Sequence, residues 1–231
     1  MQLQQEPAGL LRIAAPIEFG QLFLGGVLGR FMLQYPQISA EVELTSREVD
    51  PLEEGVDIAI HVGQPRDSTL IARKLFESPR RLYASPEYLA RHGLPETVQA
   101  LAGHRALLLQ QDSPRYWPLV GEQVPCLRVL SCNNITLARE AALAGAGICG
   151  LPVMIAEEAL NSGRLVQLLP DARLPIGELY AVYPSRRFQA MKVKAFLDFL
   201  MASLPQASLL EPVAAGLLRR VSATLVEVQG Q

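Results

Sequence analysis

Short apolar runs, each closed by a Gly or a Pro, alternate along this chain with stretches whose apolar residues recur at helical spacing, and that alternation limits the fold more than any other feature. The first run, Leu10 to Pro16, has the form of a strand buried on both faces. Leu24, Val27, Leu28 and Phe31 then mark one face of a helix. Gly20 lies near its start, and Tyr35-Pro36 stops it, because the residue before a proline disfavours the α region. Next, Ala40, Val42 and Leu44 alternate with Glu41, Glu43 and Thr45, the pattern of a strand with one wet, acidic face. After the acidic turn Asp50 to Gly55 comes a third apolar strand, Val56 to Gly63, ending where glycine frees the backbone to turn. Strand, helix, strand, turn, strand is the order of an α/β unit with a largely parallel sheet and right-handed crossovers.

The pattern then repeats. Arg81 to Ala84 reads as a strand, and Ser85-Pro86 opens a helix with a serine cap and a proline at the first helical position. Ala106 to Leu109 and Cys126 to Ser131 read as strands, and Leu137 to Leu143 as an Ala-rich helix closed by Gly145 and Gly147. Ile148 to Pro152 is a strand by its length and glycine content, and Met154 to Leu160 a short helix. Strands follow at Leu165 to Leu169 and Glu178 to Tyr183. A last helix carries Phe188, Val193, Phe196, Leu197 and Leu200 as its stripe, and residues 205–231 form a tail with the apolar spacing of one more helix.

At 231 residues and 49% hydrophobic the chain has enough apolar mass for one large core or two small ones. Its net charge of −2 lacks the basic surplus of a phosphate-gripping domain. The opening MQLQQEPAG has no basic-then-apolar leader pattern, so a cytoplasmic protein is expected; Arg or Glu interrupts every long apolar run, so no membrane contact is expected. Cys126, Cys132 and Cys149 form no CxxC pair and stand at no zinc spacing from His61, His92 and His104, so neither a metal nor a cofactor is expected and the thiols read as small buried hydrophobes. GxSxG, P-loop and GxGxxG patterns are all missing, which argues against an enzyme.

Taken together, GLLRIAAP with Phe19-Gly20, RFMLQYP, EEGVDIAIHVG with LIARKL, RLYASPEYLARHG, NNITLAREAALAGAGICGLP and LYAVYPSRRF with FLDFL occur in the order found in one family. From Gly9 to about Leu204 the chain resembles the effector-binding domain of LysR-type bacterial transcriptional regulators. The resemblance implies a two-lobed fold like that of periplasmic binding proteins, each lobe a mainly parallel sheet flanked by helices, with a small polar effector held between the lobes. On that reading residues 1–8 end an interdomain linker, 9–83 with 184–204 make the first lobe, and 84–183 make the second, with chain crossings near Tyr83 to Ser85 and Val182 to Pro184. DNA would be contacted only through a winged helix-turn-helix that is absent from this chain. The alternatives are a free-standing solute-binding protein and a dimerisation partner deficient in DNA binding.

Ligands of open α/β sheets bind outside the carboxyl ends of the strands, near helix starts with unpaired N–H groups. This selects Pro16, Glu18 and Phe19, then Thr45 and Arg47, then His61 and Gly63, and in the second lobe Asn133, Asn134 and Thr136. Each has a rival reading. The asparagines and Thr136 could serve as helix caps, Glu18 could face solvent or accept backbone N–H bonds, His61 could be a satisfied core or rim histidine, and Arg47 could pair with Glu48, Asp50 or Glu53. Trp117 reads as a core or loop anchor rather than a stacking platform. Two residues depart from the family's pattern: Glu18 stands where Ser or Thr is common, and His61 where Arg is. A carboxylate at position 18 disfavours an anionic effector nearby.

The resemblance also implies a homodimer or higher oligomer, in which Leu22, Gly25, Gly26, Gly29 and Arg30 of the first helix meet Leu137, Glu140 and Ala141 of the Ala-rich helix of a second copy. Glycines cost a helix about 1 kcal/mol each relative to alanine, so three of them are consistent with close approach of another element.

Overall fold

Two five-stranded sheets organise the chain in the computed structural model, which describes residues 6–65, 70–185 and 190–204. The first part of the described chain holds β1 (Gly9–Ala15), α1 (Ile17–Phe19), a π-helical turn (Gly20–Leu24), α2 (Gly25–Gln34), β2 (Ile38–Leu44), β3 (Ile58–Val62) and β4 (Leu70–Ser78). The second holds β5 (Arg80–Ala84), α3 (Pro86–His92), a 3-10 turn (Gln99–Gly103), β6 (Arg105–Leu109), β7 (Leu127–Cys132), α4 (Ile135–Leu143), β8 (Ile148–Pro152), α5 (Val153–Asn161) and β9 (Val166–Leu168). β10 (Gly177–Pro184) and α6 (Met191–Ser203) close the described chain, and the expected tail helix lies outside the described residues, as does Phe188.

Unit 1 takes the residues up to Ser78 and those from Ile176 onward, and unit 2 takes Pro79–Pro175. The crossings therefore come earlier than the expected Tyr83 to Ser85 and Val182 to Pro184. The reason is strand pairing: β5 pairs with β8 and β9 of the second sheet, whereas β10 pairs with β3 and β4 of the first. The sheet orders are β2-β1-β3-β10-β4 and β7-β6-β8-β5-β9. In both, the first three strands pair in parallel and the fourth runs antiparallel to its two neighbours, so four of the five strands share one direction, as the expected mainly parallel sheets require.

In unit 1, Leu24, Val27, Leu28 and Phe31 of the first helix pack with Val193, Phe196, Leu197 and Leu200 of α6 over Leu11, Ile13, Ile58 and Ile60. Phe31 meets Phe196 edge to face at 5.2 Å. Ala14 and Ala59, alternating with those residues, pack on the opposite face under Val49 and Val56. A buried ion pair fastens the returning helix: Lys192 Nζ stands 2.7 Å from Asp57 Oδ2 and also reaches the Leu10 carbonyl, while Asp57 Oδ2 accepts the Arg12 N–H at 3.0 Å.

In unit 2 the same alternation sorts Leu82, Ala106, Leu108 and Ile148 under α3 and Trp117, and Tyr83, Leu107, Cys149 and Leu151 under α4 and α5. Trp117 is a core anchor whose indole N–H donates to the Leu101 carbonyl at 2.9 Å. Cys132 and Cys149 are buried as small hydrophobes, and burial pushes the Cys149 thiol pKa up. Ser85 caps α3 as the sequence predicts, its Oγ accepting the Tyr88 N–H at 3.3 Å. Gly147 is forced by packing, because a Cβ there would stand 2.5 Å from the Arg105 carbonyl oxygen.

One patterning expectation fails. Val42 and Leu44 of β2 are 41% and 38% exposed, because β2 is an edge strand and this chain does not cover its apolar row. Among the described residues no helix is long and apolar enough to cross a membrane.

Candidate functional site

Because β1, β2 and β3 run parallel, their carboxyl ends lie along one edge of the first sheet. Pro16 and Glu18 follow β1 there, Thr45 and Arg47 follow β2, and His61 and Gly63 close β3. The Thr45 N–H donates to the Ala15 carbonyl at 3.0 Å, which binds the first two ends together, and the Pro16 carbonyl accepts the Gly20 N–H at 2.8 Å. Gly63 turns with φ +91°, and its N–H donates to the Glu178 carbonyl at 2.7 Å.

Side chains at this edge divide into engaged and unmet. Arg47 is engaged: Nη1 and Nη2 reach Glu54 at 2.5 and 2.6 Å, and Nη2 reaches Glu43 at 3.0 Å. The paired guanidinium holds the Glu54 carboxyl below the usual carboxylate range. The ion-pair reading of Arg47 is therefore right in kind but not in partners, which are Glu54 and Glu43 instead of Glu48, Asp50 or Glu53. Thr45 Oγ1 accepts the Arg47 N–H at 3.2 Å, a local turn bond. The Phe19 side chain points into the unit 1 core, with ring centroids 5.3 Å from Phe23 and 6.1 Å from Phe76, so only its backbone lies at the edge.

One acceptor at the same edge is unmet: Glu18 Oε1 is buried and has no hydrogen-bond partner among the described residues. His61 is 7% exposed; its Nε2–H donates to the Val49 carbonyl at 2.8 Å, and its Nδ1 faces Glu48 Oε1 at 3.4 Å.

In unit 2, β6, β7 and β8 are also parallel, and α4 starts at the carboxyl end of β7. Asn134 is the cap, its Oδ1 accepting the Leu137 N–H at 2.8 Å. Asn133 is exposed, and Thr136 lies half-buried in the first turn. The sequence reading missed a buried pair at this edge. Arg80 Nη1 and Nη2 meet Asp112 at 3.0 and 3.1 Å, Nη2 also donates to the Gly150 carbonyl at 3.1 Å, and Asp112 Oδ2 accepts the Leu109 N–H at 3.0 Å. Arg80 directly before the apolar strand Arg81 to Ala84 was the available signal, and Gly150 opposite it is needed, since a Cβ there would stand 3.2 Å from Arg80 Nη2.

The residues expected at a dimer contact lie on the surface of their own units. Leu22, Gly25, Gly26, Gly29 and Arg30 are exposed on the first helix, beside exposed Met32 and Leu33, and among the described residues nothing lies within 4 Å of a Cβ built at Gly29. On unit 2, Leu137 and Glu140 are exposed and Ala141 is half-buried, with Leu127 and Val129 exposed on the edge strand β7.

Comparison with known proteins decides the family: the model of the LysR substrate-binding domain matches residues 4–205. The chain belongs to that family. Its curated relatives include the transcriptional regulator PtxR of Pseudomonas aeruginosa, 36% identical over 213 residues, covering 87% of this chain and 66% of the relative. The regulator DmlR of Escherichia coli is 34% identical over 204 residues, covering 86% and 66%. This chain thus spans about two thirds of the length of those relatives. Among solved structures, the regulatory domain of CrgA from Neisseria meningitidis matches with a TM-score of 0.76 at 30% identity, covering 86% of this chain and all of that one. Full-length AphB of Vibrio cholerae matches with a TM-score of 0.75 at 31% identity, covering 87% and 70%. The fold is that of LysR regulatory domains, and the relatives are regulators of transcription rather than enzymes.

Proposed function

We propose that this chain senses a small polar effector and holds two copies of a LysR-type regulator together, while the rest of the intact protein contacts DNA. The observation that carries the sensing role is the unit 1 strand edge, where a buried carboxylate oxygen of Glu18 has no partner among the described residues. Pro16, Thr45, Arg47, His61 and Gly63 share that edge, and Asn133, Asn134 and Thr136 stand at the carboxyl edge of the parallel strands of unit 2. An effector acts on transcription only through its different affinity for the arrangements the regulator can take. A thermal-shift screen of metabolites on the wild type, Glu18→Ser and Thr136→Ala tests the site. A true effector raises the melting midpoint of the wild type and loses that effect in the variants; equal stabilisation of all three proteins places its site elsewhere.

The dimerisation role rests on the exposed helix glycines and on the uncovered apolar edge of β2. Gly26→Lys is expected to give monomers in analytical ultracentrifugation, and an unchanged dimer rules this face out. The 231-residue chain by itself is expected to give no sequence-specific footprint, since its charge is −2.

A further inference from the structure

Resting on the effector reading, we propose that the effector carries an ammonium group and that Glu18 receives it at the strand edge of unit 1. A carboxylate oxygen can only accept, and one buried without a donor pays the full cost of leaving water, so Glu18 Oε1 calls for a donor from outside the chain. Among the described residues, Arg47 at the same edge is held by Glu54 and Glu43.

The charge of the surrounding segment points the same way. Residues 43–54 carry Glu43, Glu48, Asp50, Glu53 and Glu54 against the single Arg47. A ligand carboxylate brought to this edge meets the like charge of these acidic residues, whereas an ammonium meets Glu18 in a charge-assisted hydrogen bond. A single unmet oxygen suits the point donor of an ammonium better than the two-pronged guanidinium.

The test uses the 231-residue chain and four probes of equal carbon count: 1,4-diaminobutane, 4-aminobutyrate, succinate and 1,4-butanediol. The two amines are expected to raise the melting midpoint of the wild type, while succinate and the diol leave it unchanged. By calorimetry, the isosteric Glu18→Gln should bind 1,4-diaminobutane at least tenfold more weakly. Equal affinity of wild type and Glu18→Gln, or no response to either amine, overturns the assignment. Succinate stabilising the wild type while the amines do not overturns the ammonium but leaves the effector reading standing if Thr136→Ala removes the response. The effector reading itself falls only if the metabolite screen finds no ligand sensitive to either edge.

Discussion

The two units share one sheet plan and differ in how each is fastened. In both, a buried ion pair holds the segment that arrives from the other unit. Unit 2 fixes Arg80, on the strand that enters it, with Asp112 and the Gly150 carbonyl, and both side chains are below a tenth exposed. Unit 1 fixes Lys192, on the helix that returns to it, with Asp57, and there the lysine is 20% exposed. The unit 2 pair is drier and forked, so it tolerates loss of a partner less well. The lesson concerns chain order: unit 2 is built from one continuous stretch and unit 1 from two, and each joint carries a charge pair that apolar packing alone would leave free to slide.

The comparison can be broken by experiment, because the chain's single tryptophan, Trp117, lies in the unit 2 core and reports that unit alone. The largest effect is expected from Asp112→Ala, which leaves the Arg80 guanidinium buried without its anion and removes the Leu109 N–H acceptor; it should cost about 3–5 kcal/mol. In urea the tryptophan fluorescence midpoint should fall sharply. Lys192→Met is expected to cost about 2–3 kcal/mol, less than the drier pair because its nitrogen is partly hydrated. It should lower a circular-dichroism transition without moving the tryptophan midpoint. If both probes shift together in either variant, the units unfold as one block and the contrast between them fails.

Two glycines sharpen the same contrast. Gly147→Ala drives a Cβ against the Arg105 backbone, which cannot yield, and should destabilise unit 2 by about 1–3 kcal/mol. Gly20→Ala meets the Leu44 side chain, which is 38% exposed and free to turn away, and should cost under about 1 kcal/mol. Equal losses would show that the β2 edge is as rigid as the unit 2 interior.

The smallest effect is one of pH. His104 is buried, and its Nδ1 accepts the Tyr88 hydroxyl at 3.1 Å, so burial lowers its pKa from the ordinary histidine value. The unfolded chain then takes up the proton first, and stability falls as pH drops below about 6.5. The tryptophan-reported melting midpoint should drop by less than about 3 °C through this group. His104→Gln should flatten that part of the profile, and an unchanged profile would remove His104 as its source.

Local signals are legible in the sequence and long-range pairings are not. The Ser85-Pro86 start, the strand Ile148 to Pro152 and the apolar stripes of α2 and α6 depend on near neighbours, and the structure bears them out. Strand β4 has no such local signature, because its burial follows no simple period and its partner β10 lies about a hundred residues on. The crossings differ from expectation for the same reason, since an apolar run does not say which sheet it joins. At the site, the strand ends follow from chain order, but side-chain directions do not. Phe19 turns inward, Arg47 selects Glu54 and Glu43, and the Arg80–Asp112 pair joins residues that no local pattern links.

The π-helical turn between Ile17–Phe19 and α2 adds one residue to the count of an α turn, so it resets the rotational phase between the residues before it and those after it. Winding the same residues as an unbroken α-helix would turn one end by about 100° against the other. Either the Val27, Leu28 and Phe31 stripe would leave the core, or Glu18 would leave the strand edge. That extra residue lets one helix keep two separate appointments, with the hydrophobic interior downstream and with the strand edge upstream.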